Sequence, residues 1–323
     1  MAIADGLVDL SSAGRLCVLG AWSECILNGL PVTRLHIVQK SFPVVESLRR
    51  RGVAVDVKPD GPYVAALVQL PRAKAEARTL IAEAWAVTRP MGLICIDGQK
   101  TDGIDSMLRN LRSRRCKLET MSKFHGKLIW FFRQDEPVFD DWTMLAHDPP
   151  CGFVTAPGVF SAESIDAGSE RLALHLPELA GRVIDLGAGW GYLSRQILRS
   201  AAVTSLDLVE ADHVALDCAR QNVADPRAVF HWSDARTIHL PAADVIVSNP
   251  PFHTGRAAEP AMGAAFIASA ARLLKPSGAF WMVANRHLPY EKPLGAAFAT
   301  VTGVMDDGRF KIIRATHPRR ARF

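Results

Sequence analysis

The segment SNPPFH, Ser248 to His253, ends the apolar run ADVIVSN with an asparagine and two prolines. A residue before proline is pushed out of the helical region, so Asn249 is expected to be extended at the carboxyl end of a strand, where open α/β sheets bind ligands. Pro250 and Pro251 lack N–H groups and stiffen the chain, so their carbonyls can be presented at a low entropy cost. Phe252 adds a flat apolar face.

These residues suit the binding of a planar group that carries an NH₂. The side-chain oxygen of Asn249 and the carbonyl of Pro250 would accept its two hydrogens, and Phe252 would stack on its ring. The nitrogen lone pair would then face an electrophile, and positioning would supply most of the acceleration without a strong base. We therefore predict catalytic roles for Asn249, Pro250, Pro251 and Phe252. A proline-containing loop that merely ends a strand is the structural alternative.

A second motif, VIDLGAGWGYLS, predicts a strand, a glycine-rich turn and a helix between Val183 and Ser194. Glycines there remove the Cβ atoms that would keep a ligand from the backbone, and the helix start offers free N–H groups. The glycines do not have dinucleotide-fingerprint spacing, and a carboxylate before the turn suits a sulfonium better than a diphosphate. The motif therefore favours S-adenosylmethionine over NAD, with the predicted cofactor-binding residues Asp185, Gly187, Ala188, Gly189 and Gly191.

Two acids follow the next predicted strands. Glu210 ends TSLDLVE, roughly 20 residues beyond the glycines, where an acid commonly accepts hydrogen bonds from ribose hydroxyls. Its alternative role is that of an acid stabilised at a helix N-terminus. Asp234 in HWSDA is predicted to reach an adenine amino group, although an aspartate in a loop is more often a turn former. We predict that Glu210, Asp234 and Asn249 all contact the cofactor.

The chain of 323 residues is long enough for two domains. Between Gln134 and Gly152 the periodicity breaks and three prolines occur, which indicates a linker. We predict domains at residues 1–134 and 153–323 and a linker at 135–152. On both sides of it, apolar strand patterns alternate with helix patterns, which is typical of doubly wound α/β sheets.

The two halves also correspond in detail. Each contains a strand, a loop, an alanine-rich helix, a Pro-Xaa-Gly turn, a strand and a basic, hairpin-like end in the same order. Gene duplication would explain this correspondence. The first half, however, has VQLP where the second has SNPP, and its VLGAWSE lacks the spaced glycines. The first half is therefore predicted to have lost its chemistry.

Composition excludes several classes of protein. Apolar residues at 49% and charged residues at 22% are typical of a globular protein. The six cysteines form no CxxC pair, so neither a disulfide framework nor a metal site is expected. No long apolar window or signal-like N-terminus is present, so we expect no membrane partner and a cytoplasmic location. A net charge of +5 mildly favours an anionic partner.

Together, Asp185 to Gly191, Glu210 and Asn249 to Phe252 resemble the motifs of class I S-adenosylmethionine-dependent methyltransferases that modify exocyclic or amide nitrogens. The segments GVFSAESIDAGSERL, SNPPFHTG, VANRHLPYEKPL and DGRFKIIRAT further resemble the bacterial rRNA guanine-N2 methyltransferases of the small-subunit type. The resemblance implies two Rossmann-like domains, the N-terminal one degenerate and the C-terminal one catalytic. It also implies that residues 158–161 and 166–169 pack over the cofactor, and that the partner is rRNA or the small ribosomal subunit.

Substrate contacts are predicted for Phe252, His253, Arg256, Arg309 and Lys311, because aromatic and cationic groups near the site suit a base and its phosphates. Three alternatives stay open at this point. An enzyme of the same NPP[YF] type could act on large-subunit rRNA guanine, adenine N6 or a protein glutamine amide. A non-catalytic RNA- or ribosome-binding protein could use the domains as scaffold. An NAD oxidoreductase is disfavoured by the glycine spacing.

Overall fold

A computed structural model describes residues 13–21, 30–114, 116–143, 152–251 and 260–319. The chain divides into two compact units, Met1–Leu145 and Ala146–Phe323, and each contains one seven-stranded sheet. Within the described ranges, no helix is long and apolar enough to cross a membrane. The limits of the linker at residues 135–152 stay a prediction.

The first unit consists of the following strands and helices in chain order: β1 (Leu16–Leu19), β2 (Leu35–Val38), α1 (Phe42–Arg50), β3 (Ala54–Asp56), β4 (Tyr63–Gln69), α2 (Lys74–Val87), β5 (Thr88–Gln99), α3 (Ile104–Arg112), β6 (Glu119–Lys123) and β7 (Gly126–Phe132). The second unit consists of α4 (Ala167–His175), β8 (Gly181–Leu186), α5 (Tyr192–Ile197), β9 (Val203–Glu210), α6 (His213–Asn222), β10 (Ala228–Trp232), β11 (Ala243–Ser248), α7 (Pro260–Leu273), β12 (Leu274–Asn285), α8 (Glu291–Ala297), β13 (Phe298–Asp306) and β14 (Phe310–Pro318).

Both sheets have the same strand order. It is β3-β2-β1-β4-β5-β7-β6 in the first and β10-β9-β8-β11-β12-β14-β13 in the second. In each, five parallel strands are followed by an antiparallel pair. This confirms the predicted α/β class with two Rossmann-like domains.

Each unit has its own apolar core. In the second unit, Phe266 and Ile267 of α7 pack with Ile246 and Phe280 on one face of the sheet. In the first unit, the core extends into the predicted linker, because Phe139 is 1% exposed and its ring lies 5.1 Å from that of Trp85. The segment up to residue 143 is thus held to the first unit by aromatic packing, although its acids and prolines are typical of a linker.

The strand registers identify equivalent positions in the two sheets. Val18 and Asp185 occupy the same place, one residue before the ends of β1 and β8, opposite Leu67 and Val247 respectively. By the same registers, Gln69, the last residue of β4, is equivalent to Asn249, which directly follows β11. The first unit therefore lacks the carboxylate of its second copy and carries a longer amide at the end of β4.

In each unit, a histidine–aspartate pair joins the second and third strands in chain order. The strand that carries the histidine in one unit carries the aspartate in the other. In the first sheet, Nε2 of His36 on β2 lies 2.9 Å from Asp56 on β3. In the second, Nε2 of His231 on β10 lies 2.7 Å from Asp207 on β9. The registers place His36 and Asp207 at equivalent positions, and Asp56 and His231 likewise. Both sheets thus satisfy a buried polar position with the same pair of groups.

Candidate functional site

The glycine-rich turn after β8 adopts the backbone that its sequence predicts. Gly187, Gly189 and Gly191 have φ of +77°, +56° and +92°, values that L side chains rarely adopt. A Cβ on Gly191 would lie 2.9 Å from Val223, whereas a Cβ on Gly189 would meet no atom of the described residues within 4 Å. Gly191 therefore allows α5 to approach α6, and Gly189 borders open space.

That space is a pocket of about 380 Å³, part of it open to solvent, at the carboxyl edge of the second sheet. It is lined by residues of the glycine turn, α5, the strand end and the segment before α4: Phe160, Ser161, Asp166, Ser169, Gly187, Ala188, Gly189, Trp190, Tyr192, Leu193 and Asn249. Trp190 Nε1 donates to the carbonyl of Phe160 at 2.9 Å and thereby ties the segment to the turn.

The side chain of Asn249 is held from two directions. Its Nδ2 donates to Asp166 Oδ2 at 2.8 Å and to Ser169 Oγ at 2.8 Å. A carboxylate accepts only, so the nitrogen of the amide must face Asp166. Both N–H groups are thereby engaged, and Oδ1 is the atom that the amide can offer to a donor in the pocket.

Asp166 is also the N-cap of α4, because the same Oδ2 accepts a hydrogen bond from the backbone N–H of Ser169 at 2.8 Å. An aspartate is among the most favourable N-cap residues. The start of the helix and the orientation of the Asn249 amide therefore depend on one oxygen atom.

Two acids lie beneath the turn. Asp185 is completely buried, and its Oδ2 accepts a hydrogen bond from Ser194 Oγ at 2.7 Å. Burial, with a further contribution from the charge of Glu210, raises the pKa of Asp185 to about 7, against the lowering effect of the hydrogen bond from Ser194. Asp185 Oδ1 has no hydrogen-bond partner among the residues that the structure describes.

Glu210 ends β9 and ties the turn to the next helix. Its Oε2 accepts from Gly189 N at 2.8 Å, and its Oε1 accepts from Asp212 N at 2.8 Å. Burial raises the pKa of Glu210, against the effect of these N–H donors. Each oxygen keeps a second lone pair for a ligand hydroxyl.

The first unit repeats this arrangement with Gln39 in place of Glu210. Gln39 Oε1 accepts from Ser41 N at 2.8 Å, and its Nε2 donates to the carbonyl of Ala21. Nε2 of Gln39 thus takes the place of Oε2 of Glu210. Because this nitrogen donates, it binds the loop after β1 through the carbonyl oxygen of Ala21 and not through a backbone N–H. The change preserves the structural link and removes the negative charge.

Asp234 lies outside the group of residues that line the pocket. Both of its carboxylate oxygens accept hydrogen bonds from Arg236, at 2.6–3.0 Å. Burial alone would raise the pKa of Asp234. The hydrogen bonds and the charge of Arg236 lower this pKa overall, because they favour the charged carboxylate. The predicted adenine contact would compete with this ion pair.

The remaining residues that were predicted to be catalytic or to contact the substrate fall into three groups. Pro250 is buried and Pro251 exposed, directly after Asn249. Arg309 is exposed, with its guanidinium 5.0 Å from the ring of Phe310, whereas Lys311 donates to the carbonyl of Leu288 at 2.7 Å. The predictions for Phe252, His253 and Arg256 lie outside the described residues. In the described ranges, no His, Cys, Asp and Glu side chains are grouped as a metal site.

The structure adds the bonding roles of Asp166 and Ser169, which their sequence alone did not assign. The available signal was an Asp-x-x-Ser pattern before an apolar helix, which predicts an N-cap. The bonds to Asn249 span 83 and 80 residues, so no local pattern could reveal them.

Comparison with known proteins agrees with this geometry. Residues 150–314 match the model of the methyltransferase small domain. The ribosomal RNA small subunit methyltransferase C of Shewanella oneidensis is 31% identical over 262 residues, which cover 77% of this chain and 76% of the relative. Its namesake from Shewanella pealeana is 30% identical over 256 residues, which cover 76% and 75%.

Among solved structures, the fold is similar to that of a T. thermophilus 16S rRNA N2 methyltransferase in complex with AdoMet and guanosine. The TM-score is 0.80 at 22% identity, and the match covers 95% of this chain and 89% of the other. This likeness includes both units and shows a shared two-domain fold.

The second sheet and its glycine-lined pocket define a class I S-adenosylmethionine-dependent methyltransferase. The family model and the Shewanella relatives, which match about three quarters of the chain, narrow this class to one family. This chain belongs to the ribosomal RNA small subunit methyltransferase C family. The predicted family, enzyme class and cofactor are thereby confirmed.

The described residues fit S-adenosylmethionine. A buried carboxylate oxygen without a donor is costly unless a donor or cation reaches it, and Asp185 Oδ1 is such an atom. The open space at Gly189 admits a ligand close to the backbone. Glu210 has acceptor capacity for ribose hydroxyls.

The two raised carboxyl pKa values predict a pH-dependent stability of the cofactor-free protein. Protonated Asp185 contributes stability that is fully present below its ordinary value of 3.8 and is lost as the pH rises through about 7. For Asp185 the slope is about 1.4 kcal/mol per pH unit between these two values, and the raised pKa of Glu210 acts in the same direction. Urea unfolding between pH 5 and 7.5 should show stability falling with pH, and Asp185→Asn should make the decline shallower. An unchanged slope in this variant would contradict the assignment.

Proposed function

We propose that this methyltransferase transfers the methyl group of S-adenosylmethionine to the exocyclic amine of a guanine in small-subunit rRNA. The observation that carries the proposal is the Asn249 amide, held by Asp166 and Ser169 at the border of the glycine-lined pocket. The relatives of the family, named for the small subunit, support the choice of RNA. The proposed substrate is a ribosomal RNA, so we propose a cytoplasmic location for this chain.

The residues of the site have separate tasks in this proposal. Gly189, Glu210 and Asp185 hold the cofactor, which supplies an electrophilic methyl group on sulfur. Asn249 Oδ1 and the carbonyl of Pro250 accept the two amine hydrogens of the guanine, and thereby direct the nitrogen lone pair. The nitrogen gives up its proton late, to water or a nearby acceptor, so no strong base is needed.

Arg309 is proposed to contact RNA phosphates. Its guanidinium lies over Phe310, and a Cβ on Gly168 of α4 would be 3.1 Å from the same ring. Arg309 is therefore close to the start of α4, where Asp166 and Ser169 bind Asn249. Lys311 is a weaker candidate, because its ammonium already binds Leu288 and Glu291. An RNA contact from Lys311 would require it to leave these partners.

The substrate is tested with labelled cofactor and purified protein. Small ribosomal subunits, free 16S rRNA, large subunits and total protein are incubated separately, and the labelled RNA is digested and identified by mass spectrometry. We expect N2-methylguanosine in small-subunit rRNA. Label in adenosine, large-subunit RNA or a protein amide would contradict the proposal, and no incorporation would support a non-catalytic role.

The role of Asn249 is tested by Asn249→Ala. The variant should bind S-adenosylmethionine nearly as well as the native protein by calorimetry, because the glycine turn and Glu210 are unchanged. Turnover should fall by about 100-fold or more, which is the size of effect expected when a donor or acceptor aligned with the reacting group is lost. An active variant would disprove the proposed grip on the amine.

The orientation of the amide is tested by changing its partners. In Asp166→Asn, the carboxamide oxygen can take the place of Oδ2 and accept from both Ser169 N and Asn249 Nδ2, so most of the activity should remain. In Asp166→Ala this acceptor is lost and the Asn249 amide can rotate, and in Asn249→Asp two carboxylates would face each other. Each of these last two changes should lower kcat by about 10- to 100-fold, as outer partners of a site typically do.

Asp166→Asn is the matched control for Asp166→Ala, because only the second variant removes the acceptor that fixes the Asn249 amide. We expect kcat of Asp166→Asn to exceed that of Asp166→Ala, with similar cofactor affinity in both. Equal losses of kcat in the two variants would show that amide orientation is not limiting.

A further inference from the structure

The turn that joins β6 to β7 has a backbone that its residues disfavour. Lys123 pairs with Gly126, so Phe124 and His125 form a two-residue connection, and their φ angles are +49° and +61°. Such turns favour Asn-Gly, because positive φ brings Cβ close to the backbone. The corresponding connection of the second unit contains Gly308, with φ of +85°. The backbone of this turn is therefore less favourable in free energy than that of the corresponding connection in the second unit.

The unfavourable turn exposes an aromatic side chain. Phe124 is 74% exposed, at the carboxyl edge of the first sheet, where Gln99 of β5 pairs with Gly126. The equivalent pair in the second sheet is Asn285 with Phe310, beside Arg309. Phe124 thus occupies, in its own unit, the place that borders the candidate site in the other copy.

Two lysines, Lys100 and Lys123, lie next to this turn. Lys123 precedes it and Lys100 donates its backbone N–H to the carbonyl of His125 at 3.1 Å, and both lysines are exposed. Of the nearby carboxylates, Asp102 accepts from the backbone of Gln99, and Asp105 pairs with Lys127 and also interacts with the charge of Lys100. The turn therefore combines an exposed aromatic ring with two lysines that are exposed to solvent.

We propose that the Phe124–His125 turn is an RNA-binding tip of the first unit. An unpaired base stacks on Phe124, and Lys100 and Lys123 contact the adjoining phosphates. Single-stranded RNA is bound by this combination of aromatic face and cations. The inference rests on the proposed rRNA substrate and gives the non-catalytic unit a defined role in binding it. The immediate neighbours of Phe124 are polar, which disfavours an apolar protein surface as the occupant.

The inference is tested with a turn variant that should increase the stability of the fold and decrease the affinity for RNA. Phe124→Asn with His125→Gly introduces the favoured Asn-Gly pair. We expect a higher melting temperature together with weaker binding of 16S rRNA in a filter assay, by about 5- to 100-fold for the loss of one stacked base. Cofactor affinity and kcat at saturating RNA should be unchanged, so the effect should lie in KM.

Phe132→Ala provides the matched control, because Phe132 is an exposed aromatic residue, 53% exposed, at the other end of β7. This variant should bind RNA like the native protein. Lys100→Gln should lower the dependence of RNA binding on salt concentration, as expected for the loss of a phosphate contact.

A stabilised turn variant with native RNA affinity would overturn the inference. So would an RNA affinity that falls equally in Phe132→Ala, or a turn variant that instead loses binding to a ribosomal protein. These outcomes differ from failure of the proposed function, in which the native protein itself would place no methyl group on small-subunit rRNA.

Discussion

One carboxylate oxygen, Asp166 Oδ2, accepts hydrogen bonds from a helix N-terminus and from the side chain that ends β11. A helix start has N–H groups that need acceptors, so the position of this oxygen is determined by the backbone of α4. Asn249 is restrained in turn by the proline that follows it. The amide is therefore fixed between two rigid elements, and its orientation does not depend on a flexible side chain. Preorganisation of this kind is what a reaction that relies on positioning requires.

Comparison of the two units shows which features of this architecture serve folding and which serve chemistry. Strand order, parallel registers and the link from strand end to helix start are common to both, with Gln39 performing the structural part of the role of Glu210. Asp185, by contrast, is replaced by Val18. A buried carboxylate costs free energy unless a ligand compensates it, so loss of the ligand removes the reason to keep it. The first unit has retained the polar groups that the fold itself satisfies.

Much of this could be predicted from residues close together in sequence. The glycine turn, Glu210 and the Asn-Pro-Pro segment are local patterns with a direct backbone meaning, and the alternation of strands and helices predicted the α/β class. Other features depend on distant partners. Asp166 and Ser169 acquire their role from a residue more than 79 positions away, and Asp234 is held by Arg236 in a geometry that its loop sequence does not reveal. The buried Phe139 lies in a segment whose composition resembles a linker.

The exchanged histidine and aspartate of the two sheets have a consequence for a chain that contains two similar halves. A strand of one half could in principle be inserted into the sheet of the other, since order and register agree. If β2 replaced β9, His36 would face His231; if β9 replaced β2, Asp207 would face Asp56. Each misplaced strand would replace a histidine–aspartate pair by two like groups, which cannot form the native contact and repel each other when both are charged. The exchange therefore favours the native placement of each strand over insertion into the sheet of the other unit.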